Sequence, residues 1–156
     1  MKFQDIYDSA RPYIACFVLL RDGDKLAMVL RKNTGWMDGF YGLPAGKVEY
    51  GETYMQAAVR EAKEEVGVDI NINDLKFAHA THRHGEEDDE FMDWVDVYFE
   101  ASKWTGEPHN AEIEKSERLD WIDMKNLPGN IVPPQLVVFQ HITNGVTYSE
   151  FGWSNS

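Results

Sequence analysis

The sequence predicts an α+β domain, with strands and helices assembled as an α/β/α sandwich. Strand-like apolar runs and amphipathic helical segments follow one another without a regular βαβ repeat, which favours these architectures. The chain has 156 residues, and we expect it to form a single domain over residues 1–156. Its 43% hydrophobic and 27% charged residues exclude a disordered or collagen-like chain.

The chain begins with a predicted β-hairpin. Residues 14–20 form a continuous apolar run typical of a buried strand, and residues 25–31 form the returning strand. Asp22 and Gly23 between them are a typical hairpin turn. Residues 32–46 follow as a long loop rich in glycine and aromatic residues, and a loop of that length in a compact domain is usually functional.

A helix is predicted over residues 52–66, where apolar residues recur with the period of an amphipathic helix. Gly67 stands where a left-handed C-cap is expected. The residues that share its core-facing stripe are Met55, Ala58, Val59, Ala62 and Val66. This helix is expected to pack that stripe on the sheet.

The second half of the chain is predicted to be mainly strands, followed by a second helix. Strands are expected over residues 75–82, 90–102 and 119–122, with residues 83–89 as a loop. The second helix is expected over residues 133–142, because Pro133 and Pro134 suit its first turn and Gly145 follows its end.

The charge of the chain limits its partners. Fifteen Lys and Arg residues stand against 27 Asp and Glu residues, which leaves a net charge of -12. Such a surface repels nucleic-acid backbones and anionic lipid, so we expect neither a nucleic-acid polymer nor a membrane as partner. A small phosphorylated substrate is repelled as well, unless a metal ion reverses the local sign.

One apolar run and one cysteine indicate the cellular compartment of the protein. Residues 13–20 are too few for a membrane span, which takes about 20 residues, and no positively charged leader precedes them. Cys16 lies within this run, so it is expected to be a buried small hydrophobe. A single cysteine excludes an internal disulfide framework, and we therefore expect a reduced, cytoplasmic protein.

Three glutamates crowd one face of the first predicted helix. Glu61, Glu64 and Glu65 form i,i+3 and i,i+4 pairs, and like charges at those spacings destabilise a helix by roughly 0.2–0.5 kcal/mol per pair. A bound divalent cation would explain the arrangement, since Mg²⁺ and Mn²⁺ prefer oxygen ligands. The alternative is a solvated acidic face, partly offset by Arg60 and Lys63.

The surrounding residues follow a longer pattern, Gly46-x5-Glu52-x7-Arg60-Glu61-Ala62-x-Glu64-Glu65-x-Gly67-Val68. This pattern resembles the Nudix box, the signature of the Nudix hydrolase family, with Ala62 where the family usually carries a larger aliphatic residue. The resemblance implies an α/β/α sandwich around a mixed sheet, with the box as a loop–helix–loop. It also implies Mg²⁺- or Mn²⁺-dependent hydrolysis of a nucleoside diphosphate linked to another moiety.

The resemblance further implies a set of site residues. The implied metal ligands are the carbonyl of Gly46 and the side chains of Glu61, Glu64 and Glu65. Glu52 and Arg60 match a structural pair that holds the loop against the helix and complete the catalytic set. Glu64 is the first candidate for the general base that activates the attacking water.

Candidate substrate contacts lie in and beside the long loop. Arg31 ends the second strand and is either a phosphate contact or a surface charge. Trp36, Phe40 and Tyr41 carry aromatic faces that can stack on a nucleobase, or else they belong to the core or the rim.

A further candidate segment is residues 107–121, which resembles a stretch of MutT-like Nudix members that hydrolyse nucleoside triphosphates. Ile113 replaces the proline of that stretch. Glu112 or Glu114 would add a carboxylate to the metal cluster or contact a base.

The expected function is hydrolysis of a nucleoside triphosphate, including modified or oxidised ones, to the monophosphate and diphosphate. A nucleotide sugar or a dinucleoside polyphosphate is the alternative substrate. A non-catalytic nucleotide-binding module is the alternative of a different class, although such a module has no need of three crowded acids. Members of the family are often dimers, so a homodimer is also an expectation.

Overall fold

The computed structural model describes residues 9–87 and 90–153, with the side chains of residues 86–91 excepted. In this part the chain forms eight strands and two α-helices, together with a short 3₁₀ turn at Ile72–Asp74. In chain order they are β1 (Tyr13–Asp22), β2 (Lys25–Arg31), β3 (Tyr41–Gly42), β4 (Ala45–Lys47), α1 (Tyr54–Val66), β5 (Lys76–Glu87), β6 (Glu90–Ala101), β7 (Ser116–Asp123), α2 (Pro133–Thr143) and β8 (Tyr148–Phe151).

The strands form a mixed sheet, as predicted. Its order is β3-β2-β1-β6-β5-β8, with β4 also paired to β1 and β7 also paired to β2. The β1–β6 and β5–β8 pairs are parallel, whereas the β1–β2, β1–β4 and β5–β6 pairs are antiparallel. Because β1 bonds to β4 on one side and to β6 on the other, the short β4 is fixed at the centre of the fold.

Each face of the sheet carries its own hydrophobic core. Cys16 and Val18 of β1 pack in one core with the apolar side of α1, and Phe17 and Leu19 pack in the other with α2. This alternation along one strand is the period-2 pattern of a buried strand. The predicted α/β/α sandwich is therefore confirmed, as is the burial of Cys16. None of the described helices is long and apolar enough to cross a membrane.

Helix α1 begins at Tyr54, two residues later than predicted. Thr53 is its N-cap, with its hydroxyl accepting from Gln56 N (3.1 Å) and its own N donating to Gln56 Oε1 (2.8 Å). Gly67 ends the helix with φ 72°, the predicted left-handed C-cap. Of the predicted stripe, Ala58, Ala62 and Val66 are buried, Met55 and Val59 pack against the same core, and Ala57 is buried in addition.

One prediction about the strands needs correction. The predicted loop over residues 83–89 is wrong up to Glu87, because β5 continues to that residue in antiparallel register with β6; residues 88 and 89 lie outside the described part. The polar side chains that indicated a loop are partnered across the hairpin, Arg83 with Asp96 and His84 with Asp93.

Three short strands are absent from the sequence prediction. β3 and the start of β4 lie inside the predicted loop over residues 32–46, and β8 follows α2. Strands of two to four residues are too short to show a period. They are held by their partners, since β3 pairs with β2 and β8 pairs with β5.

Candidate active site

A cavity of about 610 Å³ lies between α1, the sheet and the loop that follows β2. Most of the residues predicted for the site line it, including the three crowded glutamates. Those residues are Arg31, Trp36, Gly46, Arg60, Glu61, Glu64, Glu65 and Glu112. Glu52 does not line the cavity but contacts Arg60 behind it. The fold therefore brings together, around one cavity, site residues that are spread over about 80 positions of the sequence.

Glu61 lies against the backbone of β4. Its side chain is buried, with the residue 8% exposed, and a Cβ atom at position 46 would collide with its carboxylate. Only glycine lets the strand approach so closely. The backbone at Gly46 and the Glu61 carboxylate therefore face the same point of the cavity.

Arg60 joins the loop before α1 to the acidic face of that helix. Its guanidinium holds Glu52 through two bonds, Nε to Oε2 (3.0 Å) and Nη2 to Oε1 (2.7 Å), and also donates to the carbonyl of Lys47 (3.1 Å). Nη1 donates to Glu61 Oε1 (2.7 Å) and to Glu64 Oε2 (3.3 Å). Its hydrogen bonds lower the pKa of Glu52. Arg60 thus fixes the loop and offsets part of the negative charge beside it.

Glu65 is half-buried and contacts the backbone of β4. Its Oε2 accepts a hydrogen bond from Ala45 N (3.1 Å). Burial and the nearby charge of Glu61 raise the pKa of Glu65 well above its ordinary range, and burial likewise raises the pKa of Glu61. Each of these carboxylates therefore disfavours ionisation of the other.

The chemistry of these donors fits a hard divalent cation. All of the side-chain donors are carboxylate oxygens, and the Gly46 carbonyl would add a further oxygen. Within the described residues, no three His, Cys, Asp or Glu side chains converge as a ready-made metal centre. The reason is visible in the geometry, since Glu61 and Glu64 both turn toward Arg60.

The metal-free protein is expected to lose stability as the pH rises, because folding raises the pKa of Glu65 above 4.5. Between the two pKa values of Glu65, the folded state binds more protons than the unfolded state. The stabilisation that protonated Glu65 gives the folded state is therefore fully present below the pKa of the unfolded state, and it is lost as the pH rises through the pKa of the folded state. Thermal unfolding from acid to neutral pH in a chelator checks this. The melting temperature of the wild type should fall more steeply than that of Glu65→Gln, and parallel curves would contradict the assignment.

Arg31 and Trp36 form one wall of the cavity. Arg31 donates from Nε to the Trp36 carbonyl (3.0 Å) and from Nη2 to Thr34 Oγ1 (3.0 Å), and its guanidinium lies 5.1 Å from the centre of the Trp36 ring. Asp38 holds this loop by accepting from the backbone N of Thr34 and of Gly35. A cation and an aromatic face are thus presented together beside the acidic cluster.

The segment before β7 contributes one of its two predicted carboxylates. Glu112 lines the cavity and pairs with Lys115 at 3.3 Å, and Lys115 lines the cavity as well. Glu114 lies outside the cavity, where its carbonyl accepts from Asn33 Nδ2 at 3.5 Å. Of these two glutamates, only Glu112 lines the cavity that holds the acidic cluster.

Two of the three predicted aromatic residues also lie outside the cavity. Phe40 does not line it. Tyr41 is buried, and its hydroxyl donates to Asp120 Oδ2 (2.5 Å) and accepts from Arg118 Nη2 (2.9 Å). Trp36 is the residue of this group that faces the cavity.

The inner end of the cavity holds residues that the sequence interpretation missed. Asp96 and Tyr98 of β6 line it, together with Arg83 of β5 and Gln135 of α2. Gln135 Oε1 accepts from Leu43 N (2.8 Å), which orients its amide. A signal was present in the sequence, because Asp96 is the one charged residue in the otherwise apolar run of residues 94–99.

Comparison with known proteins agrees with this geometry. The model of the NUDIX domain matches residues 10–142 of the chain. An 8-oxo-dGTP diphosphatase from Escherichia coli is 27% identical over 121 residues, which cover 78% of this chain and 87% of that protein. Putative nudix hydrolase 1 from Caenorhabditis elegans is 26% identical over 122 residues, 77% of this chain but 31% of that protein. This chain thus spans less than a third of that relative's length.

Solved structures share the fold. The crystal structure of a MutT NUDIX hydrolase from Burkholderia pseudomallei superposes with a TM-score of 0.73 at 23% sequence identity, covering 83% of this chain and 97% of that one. The range matched by the family model includes α1 and the loops on either side of it. The chain therefore belongs to the Nudix hydrolase family, whose members act on pyrophosphate bonds and generally use divalent metals.

Proposed function

We propose that this protein is a Mg²⁺- or Mn²⁺-dependent pyrophosphohydrolase that converts a nucleoside triphosphate, including modified or oxidised ones, to the monophosphate and diphosphate. The observation that carries the proposal is that Glu61 and Glu65 are held together, both with raised pKa values, in a cavity that also presents Arg31. Fold stability gives no reason to bury two like charges side by side. Binding of a cation and a polyphosphate would explain why these two carboxylates lie side by side.

Each acidic residue takes a distinct part in this proposal. Glu61 and Glu65, with the Gly46 carbonyl, would hold the cation, because they are the oxygens fixed against the wall of the cavity. When bound, the cation neutralises phosphate charge and acidifies water. Glu64 is the most accessible of the three, with its side chain 55% exposed. It would therefore accept the proton of the attacking water.

The cationic residues of the cavity would hold the phosphates in place. Arg31 and Lys115 both line the cavity, Arg31 near Glu65 and Lys115 paired with Glu112. In a chain of net charge -12, these side chains provide local attraction for a polyanion. Glu112, paired with Lys115, would supply a further carboxylate near the phosphates or the base.

Diphosphate release from a nucleotide panel tests the function. The panel contains the common nucleoside triphosphates, an oxidised purine triphosphate, a nucleotide sugar and a dinucleoside polyphosphate, each with Mg²⁺ and with chelator. We expect a nucleoside triphosphate to yield its monophosphate and diphosphate when Mg²⁺ is present, and to remain intact when chelator is present. Release of single phosphates, or binding of nucleotides without turnover, would contradict it.

A substrate with a second organic moiety is the second candidate. Lys47 at the rim of the cavity lies 5.2 Å from the centre of the Trp94 ring and 4.8 Å from that of Tyr13. Such a cation–aromatic edge can hold a sugar or a second heterocycle. Faster cleavage of the nucleotide sugar or the dinucleoside polyphosphate in the same panel would favour this candidate.

A further inference from the structure

We propose that Asp96 and Tyr98 bind the polar edge of an uncharged nitrogen heterocycle at the inner end of the cavity. This inference rests on the proposed function and deepens it, since it assigns the base of the nucleotide to one end of the cavity and names its recognition residues. The geometry of β6 places both side chains, because residues two apart in a strand face the same side. They were not among the residues predicted from the sequence.

The hydroxyl of Tyr98 is the first group that points to a ligand. The residue is fully buried and lines the cavity. Among the described residues, its hydroxyl is the buried side-chain polar atom without a hydrogen-bond partner. A hydroxyl in this state costs free energy in the folded protein, and a polar atom of a ligand would remove that cost.

The ring of Tyr98 strengthens this point. It stacks on Phe17, with ring centres 4.5 Å apart and an angle of 13° between the planes. The stack fixes the direction of the hydroxyl and gives this end of the cavity an apolar wall. A flat heterocycle is the kind of ligand that matches an apolar wall with one polar group at its edge.

The buried carboxylate of Asp96 is the second group that points to a ligand. It is 1% exposed, and Arg83 donates to both of its oxygens, from Nε to Oδ2 (2.5 Å) and from Nη2 to Oδ1 (3.1 Å). Arg83 is itself stacked over Trp94 at 4.9 Å. An ionised carboxylate has about four acceptor sites, so two bonds leave acceptor capacity. Because a carboxylate only accepts, the heterocycle must present an N–H donor to it.

Charge orients the ligand in the cavity. Arg83 is paired with Asp96, and Lys47, which also lines the cavity, lies over the Trp94 and Tyr13 rings. Arg31 lies near Glu65, and Lys115 pairs with Glu112 at 3.3 Å. The phosphates therefore belong with the glutamates, and the uncharged base belongs with Asp96 and Tyr98.

Tyr98→Phe gives the sharpest test, because binding and stability should move in different directions. Binding of the four common nucleoside monophosphates and of ribose 5-phosphate, which has no base, is measured by calorimetry on the metal-free protein. The variant should weaken the best-bound monophosphate about tenfold and leave ribose 5-phosphate unchanged. Its melting temperature should be unchanged or higher, since the lost hydroxyl has no partner in the folded protein.

Asp96→Asn tests the acceptor. One carboxylate oxygen becomes an amide N–H₂, so binding of the best monophosphate should fall by about tenfold or more, and the order of preference among the four bases should change. The chain supplies matched controls outside the cavity, Tyr41→Phe and Asp120→Asn, which remove a hydroxyl and a carboxylate from a similar arginine-linked group. These controls should lower the melting temperature and leave nucleotide binding unchanged.

The outcomes separate this inference from the proposed function. Wild type that binds monophosphates no better than ribose 5-phosphate, or a Tyr98→Phe variant that binds them as wild type does, overturns the inference. Diphosphate release can remain intact in either case. Conversely, Tyr98-dependent binding with no diphosphate release supports the inference and contradicts the proposed function.

Discussion

Glu64→Gln is expected to lower kcat by about 100-fold or more, the range in which a general base contributes. Glutamine keeps the shape of the side chain but does not accept a proton at neutral pH. The fold should survive, because the side chain of Glu64 is 55% exposed and, among the described residues, pairs with Arg60 at 3.3 Å. Initial rates of diphosphate release at saturating Mg²⁺, with the melting temperature of each protein, check both statements.

Glu65→Gln is expected to cause a loss of similar size for another reason. Glu65 would be a cation ligand, so part of the loss should be recovered at high Mg²⁺, whereas the loss in Glu64→Gln should not. Glu117→Gln is the matched control, because Glu117 lies on β7 outside the cavity and pairs with Arg118 at 4.0 Å. Full activity in both active-site variants would overturn the assignment of these glutamates.

Gly46→Ala is expected to abolish most of the activity and to destabilise the fold. The new methyl group would collide with the Glu61 carboxylate, so either β4 or Glu61 must move. Overpacking of this kind typically costs about 1–3 kcal/mol. The displacement also separates the two groups proposed to hold the cation. Activity and the free energy of unfolding in denaturant measure the two effects.

Gly129→Ala is the control for this variant. A Cβ atom at position 129 meets no atom within 4 Å, so the substitution should leave both activity and stability close to wild type. Wild-type activity in Gly46→Ala would contradict the view that the contact between β4 and Glu61 shapes the site.

The helix that carries the site could be predicted from the sequence, because its signals are local. The apolar stripe has the period of a helix, and Gly67 adopts the left-handed conformation expected of a C-cap. Spacing within the helix also determines that Glu61 and Glu65 stand close together. What the sequence could not show is that Arg60 binds Glu52, Glu61 and Glu64 at once.

The rest of the cavity depends on pairings far apart in the chain. Asp96 and Arg83 meet across the β5–β6 hairpin, and Gln135 reaches Leu43 from α2. Nothing in the local pattern indicates such contacts, and charged residues near position 83 indicated a loop instead. Phe40 and Glu114 show the same limit, since position within an irregular segment does not determine which side chains face a cavity.

Calorimetric titration of Mn²⁺ into the protein, with a non-hydrolysable nucleoside triphosphate present, tests whether α1 holds a divalent cation. We expect saturable uptake by the wild type, strongly weakened uptake by Glu61→Gln and Glu65→Gln, and unchanged uptake by Glu117→Gln. Absence of uptake by the wild type, or equal uptake by all four proteins, would contradict the claim that this helix holds a divalent cation against a polyphosphate.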